Sequence, residues 1–334
     1  MPMEVNTFFK KIKGKKIVVS FHQNGDPDAV GSAVALYEIL KKKYGCRVKI
    51  LFDSISKISS ILLEEVNMQL EYLSDFRDQF EYIILVDTNN PAQLGNVLVN
   101  EDFNKKAFLI DHHIPHSEIE SFSLSHLIKP DYTSTSEIIF ETAEKLKVKL
   151  SQNAKFLLLA GIIYDSRRFL IAGERTLWAA HKLRGRGVDY NRVLSILNPP
   201  KDRSERIARL KSVKRMELYE IGDWLLSVSK VGSFEASACR ALIDVGADIA
   251  IVVNADEGQV RISSRASKEF TNQTGINLAK DLMEPIGPII KGQGGGHISA
   301  AGSNGTENSD EALEKIKELL SQKLKIKIKR IYEE

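Results

Sequence analysis

Four short β-branched runs recur through the first half of this 334-residue chain, alternating with stretches of helical spacing. That alternation admits little besides a parallel sheet covered by helices. The runs Lys16 to His22, Arg47 to Asp53, Tyr82 to Thr88 and Ala107 to Asp111 read as strands. Ser32 to Lys43 and Lys57 to Leu70 carry helical spacing, Ser134 to Leu146 follows a Ser/Thr cluster suited to an N-cap, and Ser151 to Tyr164 is a largely apolar helix. From about Asp189 the pattern changes to a Pro199-Pro200 step and a charged helix, Lys201 to Arg215, with little apolar face. Such a helix reads as a connector. Beyond it Trp224 to Val231, Ile249 to Asn254 and Gln259 to Ser264 alternate as strands, with Ala236 to Asp244 and Ile276 to Glu284 as helices. The fold class is therefore α/β in two parts: a larger parallel-sheet domain over 1–195, a linker helix over 196–217, and a smaller α/β domain over 218–334.

Composition narrows the setting. At 43% hydrophobic the chain can bury an ordinary core, and its longest apolar stretches, such as Phe156 to Tyr164, fall far short of a membrane span. No signal-like segment opens the sequence, so a cytoplasmic location and no membrane partner are expected. Two cysteines, Cys46 and Cys239, make neither a disulfide framework nor a cysteine metal cluster and are expected to pack. A formal charge of +3 is too balanced for a non-specific nucleic-acid footprint. The densest basic run, Lys323 to Arg330, alternates Lys with Leu or Ile and is expected to be a lysine-guarded strand edge.

The residues that carry chemistry sit where strands end. The first strand runs into His22-Gln23-Asn24-Gly25-Asp26-Pro27-Asp28, the third ends in Val86-Asp87-Thr88, the fourth in Asp111-His112-His113, and the apolar helix delivers Asp165. In open α/β sheets that edge is where ligands bind. Each residue alone has a plain explanation, since an Asp after a strand often caps a helix and a lone His is often a satisfied core residue. Together they differ: Asp26, Asp28, Asp87 and Asp165 on one edge would repel unless cations neutralised them. Carboxylate and imidazole ligands without cysteine favour Mn²⁺, with Mg²⁺ or Co²⁺ as substitutes.

These segments resemble the DHH phosphoesterase family, whose motif stands here as Asp111-His112-His113. The likeness extends from His22 through Asp28 and Ser32, to Asp87, to Asp165, and to the run Gly292-Gln293-Gly294-Gly295-Gly296-His297, which resembles the GGGH signature of the companion DHHA1 domain. Many members have Pro where Gly25 stands, whereas here Pro27 lies between the two aspartates. The resemblance implies one metal ion held by His22, Asp26 and Asp87 and a second by Asp28, Asp87, His112 and Asp165, with Asp87 bridging. It implies that Asp111 orients an imidazole and that His113 faces the substrate phosphate. The glycine run, Gly294, Gly295 and Gly296 with His297 beside it, would form a phosphate-binding loop. Ser264 and Arg265 resemble the family's substrate-binding Arg-Ser segment, and Arg167 and Arg168 are weaker candidates.

The same resemblance implies hydrolysis of phosphate esters by a water activated between two metals. A chain of this length has no room for the extra nucleic-acid domains of the longer exonucleases and no basic aromatic stripe for a long strand. The expected substrates are thus small: cyclic di-AMP, pApA or short oligonucleotides, with a homodimer permitted and no stable complex with long nucleic acid. The alternatives are a phosphatase of 3′-phosphoadenosine 5′-phosphate, a single-strand exonuclease, or a catalytically inactive relative serving as an interaction partner. The last should have lost ligands, and every matching position here is His or Asp.

Overall fold

The computed structural model describes residues 5–70, 80–95, 106–117, 119–256 and 258–331. It divides into two compact units, Met1–Pro199 and Pro200–Glu334. In the first, strands β1 (Lys16–Ser20), β2 (Arg47–Ile50), β3 (Tyr82–Val86), β4 (Ala107–Asp111) and β5 (Ser123–Ile128) form a parallel sheet in the order β2-β1-β3-β4-β5. Helices α1 (Val5–Lys11), α2 (Pro27–Tyr44), α3 (Lys57–Glu65), α4 (Ile119–Phe122), α5 (Thr135–Lys145), α6 (Gln152–Asp165), α7 (Glu174–Arg184) and α8 (Tyr190–Leu197) complete it.

Alternation along the strands buries both faces, as an all-parallel sheet requires. Ile17, Val19, Ile84 and Val86 join the larger cluster with α2, α5 and α6, whereas Val18, Ile83 and Leu85 pack with Leu94 and Ile119 on the other side. Strand order reverses between β1 and β3, and that switch point opens a crevice at the carboxyl ends.

The first three strands stop sooner than their β-branched runs promised, at Ser20, Ile50 and Val86. Polar, turn-forming residues take over: Asn24 and Asp87 adopt left-handed backbone at φ 55° and 58°. The helix expected to reach Leu70 ends at Glu65, and Asn67 is left-handed just beyond it. Strand β5 gave no signal, because its serines and His126 break the apolar run.

In the second unit, β6 (Glu217–Ile221), β7 (Trp224–Lys230), β8 (Ile249–Asp256), β9 (Gln259–Ala266), β10 (Gln293–His297), β11 (Ala300–Gly305) and β12 (Lys329–Ile331) form a sheet ordered β10-β11-β9-β8-β7-β6-β12. Only the β7–β8 pairing is parallel among those described. Helices α9 (Arg203–Lys214), α10 (Glu235–Asp244), α11 (Lys268–Thr274) and α12 (Ser309–Leu324) and a wide helical turn over Leu278–Met283 cover it. The charged segment ahead of this sheet, α9, lies against α10 through polar contacts: Arg209 reaches Asp244 at 2.8 Å and the Ser237 carbonyl at 3.1 Å. That pairing explains how a helix with so little apolar surface is held.

The basic run 323–330 is not the single strand its alternation suggested. Lys323 and Leu324 finish α12, Lys325 turns left-handed, and only Lys329–Ile331 pairs with β6 at the sheet edge. Continuation of the amphipathic helix outweighed period-two alternation there. Both cysteines are free and buried, Cys46 against the Ile12 carbonyl and Cys239 against that of Ser263.

Candidate metal centre

The crevice at the switch point gathers the acidic and imidazole residues of the first unit. Donor atoms of His22, Asp26 and Asp87 lie within 4.8 Å of one another, as do those of Asp28, Asp87, His112 and Asp165, and those of Asp87, Asp111, His112 and His113. Asp87 belongs to all three groups. Its backbone is left-handed, its carboxylate is buried, and Thr135 Oγ1 donates to its Oδ1 at 3.0 Å.

Local structure explains each placement. Asp26 is the N-cap of α2, its Oδ1 accepting from the N–H groups of Asp28 and Ala29 at 2.9 and 3.1 Å. The capping role and a ligand role coexist, because one oxygen caps and the other is left over. Asp28, in the first turn of α2, is wholly buried and accepts from the backbone N–H groups of Thr135 and Ser136, both at 2.7 Å, at the start of α5. Asp165 closes α6, which crosses α2 closely enough that Gly31 faces the Leu157 carbonyl and Gly161 faces Asp28. Small residues at that crossing are what bring the two helix-borne carboxylates together.

The imidazoles are oriented for coordination. His22 Nδ1–H donates to the Gln23 carbonyl at 2.8 Å, which leaves Nε2 bare and 3.5 Å from Asp87 Oδ2. His112 Nε2 is buried without a hydrogen-bond partner, although Asp165 Oδ2 lies 3.1 Å away and Asp87 Oδ1 3.6 Å away. A buried ring nitrogen that faces carboxylates yet completes no hydrogen bond fits a donor that takes a cation in place of a proton. Asp111 accepts from His113 Nδ1 at 2.9 Å and from the His112 N–H at 2.7 Å, so it shapes the loop. The His113 side chain is 58% exposed against 14% for His112, so His113 faces the open crevice.

Asn89 gave no sequence signal. Its buried amide donates to Asp111 Oδ2 at 2.6 Å and to the Ile114 carbonyl, and accepts from the His116 N–H at 2.9 Å. It ties the loop after β3 to the loop after β4. A carboxamide three residues past a strand is too common for spacing to single it out. The crevice, about 580 Å³, is lined by these groups together with Asn90, Gln93 and Ile114.

Electrostatics match a site built for cations. Burial, then Asp165, pushes the Asp28 carboxyl from 3.8 up to about 7. Burial with Asp28, Asp26 and Asp165 holds Asp87 well above its ordinary range, and Asp26 is raised by burial and Asp165. Burial pulls His112 down, but the Asp165 carboxylate beside its ring nitrogen and the charge of Asp28 lift it from 6.5 to about 9. A carboxyl raised on folding stabilises the fold below its unfolded pKa, and that contribution is lost as pH climbs through the folded value. An imidazole so raised behaves the same way. Chelator-treated protein is therefore expected to lose thermal stability from about pH 4 to about pH 9. Carboxylates lowered on folding, such as Glu38, act in the opposite sense, below their ordinary 4.5. Because a divalent cation requires deprotonated donors, the stabilisation that one adds should grow over the same range. Melting curves with and without Mn²⁺ check this, and a flat chelator profile would contradict the crowding of charge.

The second unit treats its expected substrate residues unevenly. Register places Arg265, Ala300 and His297 in one row across β9, β11 and β10, so two polar residues flank a small one. Ser264 turns to the other face, buried, with its hydroxyl on the Ala301 carbonyl at 3.0 Å. The glycine run is not the curled loop expected but the edge strand β10, paired with β11. At Gly294 a Cβ would collide with the Met283 carbonyl, so close approach to the wide turn, not a nest of N–H groups, requires glycine there. Gly296 needs it for φ 136°, and Gly295 faces open space. Arg168 bonds to Asn198 Oδ1 and the Leu197 carbonyl, while Arg167 is exposed, and neither lines the crevice.

Comparison with known proteins agrees with this geometry. The model of the DHH family, N-terminal domain, matches residues 16–162, and that of the DHHA1 domain matches residues 233–325. An uncharacterized protein of Methanocaldococcus jannaschii is 33% identical over 314 residues, 93% of each chain. A probable bifunctional oligoribonuclease and PAP phosphatase NrnA of Streptococcus mutans is 27% identical across 91% of this chain and 95% of its own. The crystal structure of an exopolyphosphatase-related protein from Bacteroides fragilis shares the fold at a TM-score of 0.64, with 17% identity over 96% of this chain and 94% of that one.

Proposed function

Since the chain belongs to the DHH family of phosphoesterases, we propose that it hydrolyses phosphodiester bonds in small nucleotides, pApA, cyclic di-AMP and short oligonucleotides among them, with two Mn²⁺ ions. The observation that carries this reading is Asp87, whose carboxylate stands among both the His22–Asp26 and the Asp28–His112–Asp165 donors. On this reading His22, Asp26 and Asp87 hold one ion and Asp28, Asp87, His112 and Asp165 the other. The bound ions would supply Lewis acidity toward phosphoryl oxygens and a water acidified for in-line attack.

The remaining work falls to the chain's own groups. Asp111 accepts from His113 Nδ1–H and raises that ring's pKa, so the imidazolium presents a second proton, on Nε2, to the crevice for the phosphate or its leaving oxygen. Asn89 holds Asp111 in place for that task. Arg265 and His297 give the second unit a row suited to a phosphate or base edge, with Arg265 offering a planar pair of donors.

The name carried by the Streptococcus mutans relative also favours a second reading, a phosphatase of 3′-phosphoadenosine 5′-phosphate. One panel separates the two: cyclic di-AMP, pApA, 3′-phosphoadenosine 5′-phosphate and a long single strand, each with Mn²⁺ and with chelator. The dinucleotides should turn over fastest and the long strand slowest, all stopping with chelator. Fastest turnover of the long strand would move the chain to the exonuclease branch, and activity indifferent to chelator would end the two-metal reading.

A further inference from the structure

At the opposite end of helix α6 from the metal centre lies a second cavity, of about 530 Å³. It is lined by Lys147, Lys149, Lys155, Arg186 and Glu144 above an apolar floor that includes Phe140. Helix α6 connects the two places: Asp165 ends it at the crevice, and Lys155 lies ten residues earlier, about 15 Å along the axis.

Lys155 is the telling residue. Its side chain is covered along its length, 8% exposed, and its ammonium opens on the cavity with Gln152 Oε1 at 3.3 Å as its acceptor. An ammonium carries three N–H donors, so one long bond leaves most of its capacity unused. Burial, then Arg186 and Lys149, holds it below the ordinary lysine range. Glu144 is already committed to Arg186 through paired bonds of 2.7 Å, and among the described residues neither Lys147 nor Lys149 has a carboxylate partner. Three lysines without a carboxylate partner among the described residues thus stand beside the Arg186–Glu144 pair around a concave, partly apolar space. Nothing in the proposed hydrolysis uses them.

We propose that this cavity is a binding site for a small phosphate-bearing anion, with Lys155 as its central cation, separate from the metal centre. Ammonium groups act on phosphate as point charges from several directions, which is what three lysines on one rim provide. A cavity floored by Phe140 suits a compact anion better than a strand of nucleic acid, which would track an open groove.

The test is calorimetric titration of the full-length chain, in Mn²⁺, with inorganic phosphate and pyrophosphate. An Asp87→Ala background removes phosphate binding at the metal centre. With Arg265→Ala added to silence the row on β9, that protein should retain one binding event, and Lys155→Met or Lys149→Glu should weaken it about 10-fold or more, as loss of a charged hydrogen bond implies. Lys155→Met alone should leave nucleotide turnover unchanged. Lys149 is exposed, so Lys149→Glu decides the matter should Lys155→Met fail to fold. Phosphate affinity equal to that of the Asp87→Ala parent in the added variants would overturn the proposal. So would Lys155-dependent binding of a single-stranded oligonucleotide without any binding of phosphate.

Discussion

Replacing Asp87 with alanine should lower kcat on a dinucleotide by about 10³-fold or more, equivalent to about 4 kcal/mol of transition-state stabilisation, while the protein still folds. The expectation follows from position. Asp87 is the residue shared by every donor group in the crevice, so its loss disturbs both proposed ions together. A residue serving one ion alone would leave the other in place and cost less. The fold should survive because Asp87 is a liability without metal: its carboxyl is buried among Asp28, Asp26 and Asp165 and is held far above its ordinary range. In chelator, Asp87→Ala should therefore melt no lower than the parent. In Mn²⁺ it should lose most of the stabilisation that metal gives the parent, which is about 2.7 kcal/mol when the free ion exceeds its dissociation constant 100-fold. Turnover, melting temperature and Mn²⁺ stoichiometry answer the question together. Near-parental turnover, or an unchanged count of bound ions, would remove Asp87 from the bridging role.

Much of this candidate centre is legible in the sequence because its acidic and imidazole residues are tied to strand ends. His22, Asp87 and His112 follow strands whose β-branched runs are plain, and the parallel pattern sends every such residue to the same edge. Asp165 was readable for a different reason, since a carboxylate at the end of an apolar helix needs a partner. The residues that hold the ligands were not legible. Asn89, Thr135 and the backbone N–H groups of Thr135 and Ser136 act through long-range hydrogen bonds to Asp111, Asp87 and Asp28. Nothing in local spacing encodes contacts that span 22 to 108 residues.

The second unit shows the limit of motif reading. A run of glycines beside a histidine has two physical meanings, a curled anion nest or a backbone pressed against another backbone, and the sequence is the same for both. The Met283 carbonyl decides it: pairing with β11 and packing on the wide turn make the run an edge strand. Ser264 illustrates a simpler rule. Adjacent strand residues point to opposite faces, so Ser264 and Arg265 cannot both address one ligand from β9.

Gly161→Ala should damage the centre through a single added methyl. Two effects oppose each other. Alanine favours an interior helix over glycine by about 1 kcal/mol, whereas forcing a methyl into a packed crossing costs about 1–3 kcal/mol, occasionally more. Here the second wins, because the added Cβ would lie 2.8 Å from Asp28 Cα, which is backbone and cannot swing aside, and would also strike Ser136 Oγ. Helices α2 and α6 must separate, and they carry Asp28 and Asp165. A displacement of about 1 Å in a catalytic array costs about 10²-fold in rate, so turnover should fall by that order while the melting temperature drops by several degrees. Gly173→Ala is the control, since a methyl there meets nothing within 4 Å. If Gly161→Ala keeps parental turnover and Mn²⁺ affinity, the close helix crossing does not set the distance between the two carboxylates.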